Sequence, residues 1–227
     1  MSLNFTSESV VAYSQCPRKA FFLLRGEPGH QHEYEKVLEE RASANRSNYL
    51  SGLSGNELES NPVYAGDLVA TCDALVRKGS SANKAHARYE PHLVVGTAGV
   101  SKEQKLALAF VGHVVGQTKR YSPESGYVVP LDGRPRFVRL SSLYPIVRSN
   151  VASLRAFGDE PEREAPPLSL IDHCSACQFR VQCLHEAEEF DNLTLLDRMT
   201  PKLAARYAKK GVFTVNQLSY LFKPRRY

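Results

Sequence analysis

The chain has 227 residues, enough for one well-cored domain and a small appendage. Its 42% hydrophobic and 23% charged residues are ordinary globular proportions that exclude a disordered chain, and no stretch approaches the roughly 20 apolar residues of a membrane helix. The net charge of +5 is uneven: residues 192–227 carry eight Lys and Arg against Asp197 alone, a local +7 that leaves −2 for the rest. A basic tail on a near-neutral body points to a polyanionic partner. Residues 1–8 have neither a basic leader nor an apolar signal core, so a cytoplasmic location is expected. Five cysteines, an odd number, then argue for metal ligation or buried thiols over disulfides.

In chain order, residues 5–24 read as a capped entry and a helix, with Pro17 at a first helical position and Cys16 just before it. Residues 26–29 form a turn. Residues 32–49 are expected to be helical, with Tyr34, Val37, Leu38 and Ala42 on the buried side. The period then changes. Over residues 67–77 apolar residues fall on both faces of an expected strand in which Asp73 is the anomaly. A turn over 79–83 leads to a returning strand over 87–95. Ser101 and Gln104 make a capping box for a buried helix running to about Gln117. Segments 126–130 and 137–140 flank Asp132-Gly133, a hairpin signal, and 143–157 is a further helix. The charged, Pro-rich stretch 158–167 reads as a linker. This order predicts an α/β core with mixed strand directions.

Cys174, Cys177 and Cys183 form a C-x2-C-x5-C run. Two cysteines three apart turn both sulfurs toward one ion and the third returns to it, leaving a fourth position for structural zinc or a cubane cluster. Cys16, Cys72, His173 and His185 are available for it. Cys72 lies on an apolar strand face and reads as a core thiol. Cys16, followed by Arg18 and Lys19, presents its sulfur at a polar edge and ranks first, then His185, then His173.

Asp73 and Glu90 stand on neighbouring expected strands. Two such carboxylates repel unless a cation lies between them, and Mg²⁺ or Mn²⁺ suits that arrangement. Residues 193–211 read as a helix closed by Gly211, and Thr214 as the N-cap of another. This helix–Gly–helix layout resembles helix-hairpin-helix modules, whose turn amides and lysines grip phosphate; Lys209, Lys210 and Gly211 are the expected contacts.

Tyr13-Ser-Gln-Cys-Pro-Arg-Lys19, Cys72-Asp-Ala-Leu75, Tyr89-Glu-Pro91, Ser101-Lys-Glu-Gln-Lys-Leu106, the cysteine run and the tail 211–226 together resemble the RecB-like branch of the PD-(D/E)XK nuclease superfamily. The nearest pattern is that of bacterial RecB-family nucleases with a helix-hairpin-helix-like tail. The resemblance covers nearly the whole chain. It implies a restriction-endonuclease-like core, a mixed sheet flanked by helices, over residues 1–191 and a basic tail over 192–227. It also implies a [4Fe–4S] cluster on Cys16, Cys174, Cys177 and Cys183, the layout of CRISPR-associated RecB-like exonucleases, with zinc as the alternative. The activity implied is Mg²⁺- or Mn²⁺-dependent hydrolysis of DNA phosphodiesters in repair, recombination or mobile-element defence, with further domains or a helicase as partners. Asp73 and Glu90 become the motif acids, and His32 and Glu35 the further metal ligands of a preceding helix. One position departs from the pattern: His92 stands where the motif lysine belongs. Lys102 or Lys105 from the capped helix is the expected replacement, beside Gln104, which matches a glutamine of that helix. The same departure raises the alternative of a weak or inactive nuclease-fold module that binds nucleic acid.

Overall fold

The computed structural model describes residues 3–53, 62–78, 88–119, 121–158 and 164–221. The expected turn over 79–83, half of the linker 158–167 (residues 159–163) and Lys223, Arg225 and Arg226 lie outside the described residues. The chain divides into two compact units, Met1–Glu27 with Glu33–Ala165, and Pro28–His32 with Pro166–Tyr227. The expected boundary at 191/192 falls inside the second of these.

In the first unit, helix α1 (Ser7–Gln15) opens on a Thr6–Ser9 capping box, and α2 (Pro17–Arg25) ends on Gly26 in the left-handed region, φ 68°. Between them Cys16 is extended, because Pro17 has no N–H to donate and its ring excludes the carbonyl of an unbroken helix. Both helices pack on α5 (Tyr144–Gly158), where the rings of Tyr13 and Phe21 each lie 5.8 Å from Phe157. Val10, Val147, Val151 and Leu154 of these helices are buried as well.

The stretch 67–77 was expected to be one strand. It is two, because its halves join different ladders. β1 (Val63–Ala65) and β2 (Leu68–Ala70) form a hairpin around Gly66, with Phe5 bridging to Leu68. β3 (Ala74–Lys78) leaves that hairpin and pairs with β4 (Arg88–Val94), and Asp73 sits in the intervening bend. The main sheet has the order β3-β4-β5-β6, with β5 (Ser125–Val129) parallel to β4 and β6 (Arg136–Arg139) antiparallel to β5. Mixed strand directions, as expected, follow from one long crossover through α4 (Lys102–Lys119) between two hairpin-type connections. The Ser101–Gln104 capping box forms, and Gly133 takes φ 70° in the β5–β6 turn.

Helix α4 is buried through Leu108, Phe110, Val111, Val114 and Val115. It covers one face of the sheet so closely that a Cβ on Gly126 would lie 3.1 Å from Leu108 and 2.7 Å from the Pro91 carbonyl. Helix α3 (Glu33–Ser51) covers part of the other face. Its expected apolar stripe is not what holds it: Tyr34 and Val37 are exposed, and Asn45 is its buried residue. The Asn45 amide donates to the carbonyls of Val95, Val129 and Pro130 at 2.9–3.3 Å, and Gly96 lets the strand end approach the Leu38 carbonyl. Polar pins replace apolar burial here.

Arg155 of α5 grips Asp67 in the β1–β2 turn with two bonds of 2.6 and 2.7 Å. That hydrogen bonding, opposed in part by burial, holds the Asp67 carboxyl below its usual value. A carboxyl depressed in the folded state contributes stability above its unfolded pKa of about 3.9, and that contribution is lost as pH falls through the lower folded value. Arg155→Ala should therefore lower stability at neutral pH, and its acid-unfolding curve should converge on the wild-type curve below about pH 4.

The second unit is small. A 3-10 turn (Asp172–Ala176) precedes α6 (Arg180–Glu189), and a second (Leu193–Leu195) precedes α7 (Pro201–Ala208) and α8 (Val215–Ser219). The expected continuous helix 193–211 is corrected: Pro201 is tolerated only at the start of a helix, and Thr200 caps it there. Gly211, φ 77°, turns the chain, and Thr214 with Gln217 makes the expected cap of α8. The Asp191 carbonyl and carboxylate accept from the backbone of Val215 and Asn216, which fixes α8 against the turn before α7. Among the described residues, no helix is long and apolar enough to cross a membrane.

Candidate functional site

The α3-facing side of the sheet carries two aligned rows. Strand register sets Ala74, His92, Tyr127 and Phe137 in one row. Val76 and Glu90 pair in the next, as do Ser125 and Arg139, and the Ser125 hydroxyl donates to Glu90 at 2.6 Å to join them. Glu90 and His92 are thus successive residues on one face, roughly 7 Å apart along β4. Both are buried.

Asp73, in the bend before β3, reaches the same side. One carboxylate oxygen pairs with Nε of Arg46 and the other accepts the Val94 N–H. Its side chain is 8% exposed, whereas that of Arg46 is 44% exposed. The Val94 bond has a structural cause: where β3 stops, the Asp73 side chain takes over from the missing backbone acceptor. Tyr49, three residues after Arg46 on α3, shares a 2.6 Å hydrogen bond with His92 Nδ1. Burial, then the neighbouring Tyr127, raises the Tyr49 pKa, so a neutral phenol is available to donate to the imidazole. Asn45, Arg46, Tyr49 and Ser125 were not singled out by the sequence. A signal existed for two of them, since Arg46 and Tyr49 share a helical face at i, i+3.

The expected lysines stand elsewhere. Lys102 and Lys105 occupy the first turn of α4, which packs on the opposite face from Glu90 and His92. Lys102 is 93% exposed and reaches Glu103 at 3.7 Å, and Lys105 is also exposed. Gln104 is occupied as a cap, and its amide donates to the Thr97 hydroxyl. Glu35 is in the first turn of α3, and His32 is an exposed residue of the second unit. Mg²⁺ and Mn²⁺ require oxygen ligands free to bind them. Each Asp73 oxygen already accepts one hydrogen bond, from the Arg46 guanidinium or the Val94 N–H, so a cation at this carboxylate would have to share it with the arginine's positive charge.

Cys72 is the buried core thiol its pattern predicted. Burial, reinforced by the Asp73 charge, pushes it up to about 12, and its Sγ lies 3.3 Å from the Ala74 carbonyl. Cys174, Cys177 and Cys183 are half-buried in the second unit, on the 3-10 turn, at its end and in α6. The Ile171 N–H donates to the Cys174 sulfur at 3.3 Å. Cys16, at the α1–α2 break of the first unit, is also half-buried. Among the described residues, no group of three or more His, Cys, Asp or Glu is gathered as a ready metal cage. His173 lies in the 3-10 turn and His185 in α6.

Lys209, Lys210 and Gly211 are exposed together at the turn after α7. They belong to a helix–Gly–helix arrangement turned by the left-handed Gly211, φ 77°. The N–H groups of Lys209, Lys210 and Gly211 donate to carbonyls of α7, so the two lysine side chains are what the turn offers to solvent. The architecture defines an α/β protein with a mixed four-stranded sheet between helices. No family model matches the chain, and no curated protein matches it.

Proposed function

We propose that this chain is a nucleic-acid-binding protein on a RecB-like nuclease frame, directed at DNA, whose acidic centre is held shut against a divalent ion. The observation that carries the reading is the Asp73–Arg46 pair. A motif acid that is nearly buried has its counter-cation supplied by the protein, while His92, in the motif lysine position, is engaged with Tyr49. The turn at Lys209–Gly211 and the basic tail supply the phosphate-binding surface. Cys174, Cys177 and Cys183, with Cys16 as the fourth ligand by the resemblance, hold a [4Fe–4S] cluster; zinc is the alternative. In this role the cluster is structural and takes no part in chemistry.

The second reading is an active Mg²⁺- or Mn²⁺-dependent nuclease, favoured by the burial of Asp73 and Glu90 on one side of the sheet. One experiment separates the two. Purified protein is assayed for binding and for cleavage of single- and double-stranded DNA with each metal. Binding without cleavage is expected. Cleavage that Asp73→Ala abolishes would establish the second reading instead. The double variant Lys209→Ala/Lys210→Ala should weaken duplex binding at least tenfold and reduce the salt slope by about 1.8, the value for two phosphate contacts. An unchanged slope would remove the tail from the binding surface.

A further inference from the structure

The outermost strand of the sheet carries an unusual pair. Phe137 of β6 is 61% exposed, yet it is fixed edge-on against Tyr127, centroid to centroid 6.0 Å and 76° between planes. Tyr127 in turn meets His92 at 5.0 Å, and His92 meets Tyr49 at 5.9 Å. An aromatic row thus runs from α3 to an open ring at the sheet edge. Two residues along β6, on the same face, stands the exposed Arg139, opposite Ser125. Val138, between them, points to the buried α4 side. A large ring held in place by its neighbours loses little entropy when a flat partner stacks on it. A cation one pleat away, roughly 7 Å, stands beside the ring as the charged groove of a single-strand site stands beside its stacking platform.

We infer that Phe137 and Arg139 form a platform for single-stranded nucleic acid, one base stacking on Phe137 while a flanking phosphate meets Arg139. The proposal rests on the reading of the chain as nucleic-acid-binding, and it adds a second surface distinct from the phosphate-gripping turn at Lys209–Gly211. Charge complementarity selects this occupant: the cation beside the exposed ring suits a phosphodiester, and the open ring suits a base, which in a duplex is already stacked on both sides. Sequence preference should be slight, because every base has a π-face.

The sequence contains no tryptophan, so Phe137→Trp places a lone reporter on the platform. Its emission should be quenched on titration with a short oligothymidine. In anisotropy measurements with the same oligonucleotide, Phe137→Ala should weaken binding about tenfold at an unchanged salt slope. Arg139→Ala should reduce the slope by about 0.7, the value for one phosphate on a single strand. Both side chains are exposed, and thermal melts should confirm that the variants stay folded. An emission unmoved at saturating oligothymidine, a Phe137→Ala variant that binds like wild type, or no single-strand binding at all would overturn the platform. A platform meant for a protein partner would give the first of these results. The broader reading fails separately, if neither single strands nor duplexes bind to the wild-type chain.

Discussion

Protein purified without oxygen is expected to be brown, with about four irons and four sulfides per chain, and Cys174→Ser, Cys177→Ser or Cys183→Ser should each remove most of that iron. Cys16→Ser should do the same if the fourth ligand is the one the resemblance implies. Cys72→Ser should keep it. Cluster ligation needs thiolates, and burial that pushes Cys72 to about 12 keeps that thiol protonated. The consequence for stability is local. Phe179, Ala187, Leu193, Thr194 and Val212 are the fully buried residues described in the second unit, a core too small to support several short helices without a staple. Metal binding in such a unit is folding free energy. Loss of iron should therefore melt α6 to α8 while the first unit keeps its own transition, which circular dichroism and proteolysis would both register. Colourless protein with stoichiometric zinc and no iron would replace the cluster by a zinc site with the same structural role.

The parts of the fold that were legible in the sequence are those whose physics is local. Pro17 opened its helix with Cys16 just before it, the Ser101–Gln104 box formed as spaced, Thr214 capped α8, and Asp132-Gly133 turned its hairpin. Ahead of Pro17, α1 is a separate helix where only a capped entry was expected. Thr200-Pro201 carried an equally local signal for the start of α7, outweighed in the reading by the helical character of the residues around it. The break at Asp73 was not legible, because alternation looks the same whether a strand continues or changes partners. It changed partners. The role of α3 was misread for a related reason: its period is helical, but what docks it are Asn45, Arg46 and Tyr49, polar side chains whose acceptors lie 27 to 85 residues away. Hydrophobic periodicity has no means of registering such pins. The candidate site was accordingly half visible. Its acids were identified as odd residues in apolar strands, and the cation opposite Asp73 was not.

That cation sets the other large expectation, a gain of divalent-ion binding in Arg46→Ala. In the wild-type chain an ion that approaches Asp73 must compete with the charge-assisted guanidinium partner, so Mn²⁺ should bind weakly. Removing the guanidinium leaves a nearly buried carboxylate without its counter-charge. The loss in stability should be about 1–2 kcal/mol, below that of a fully buried pair because Arg46 is 44% exposed. Mn²⁺ should then restore what was lost, since an ion at 100 times its Kd adds about 2.7 kcal/mol. The melting temperature of Arg46→Ala should rise with added Mn²⁺ while that of wild type stays level, and Mn²⁺ electron paramagnetic resonance should show tighter binding in the variant. Adding Asp73→Asn should abolish both responses, which separates a gained site from unspecific binding to surface carboxylates. Wild-type protein that already binds Mn²⁺ as tightly as Arg46→Ala would show that the arginine excludes nothing. The Asp73–Arg46 pair would then be an anchor for α3, and the buried acids would return to the role of an open metal site.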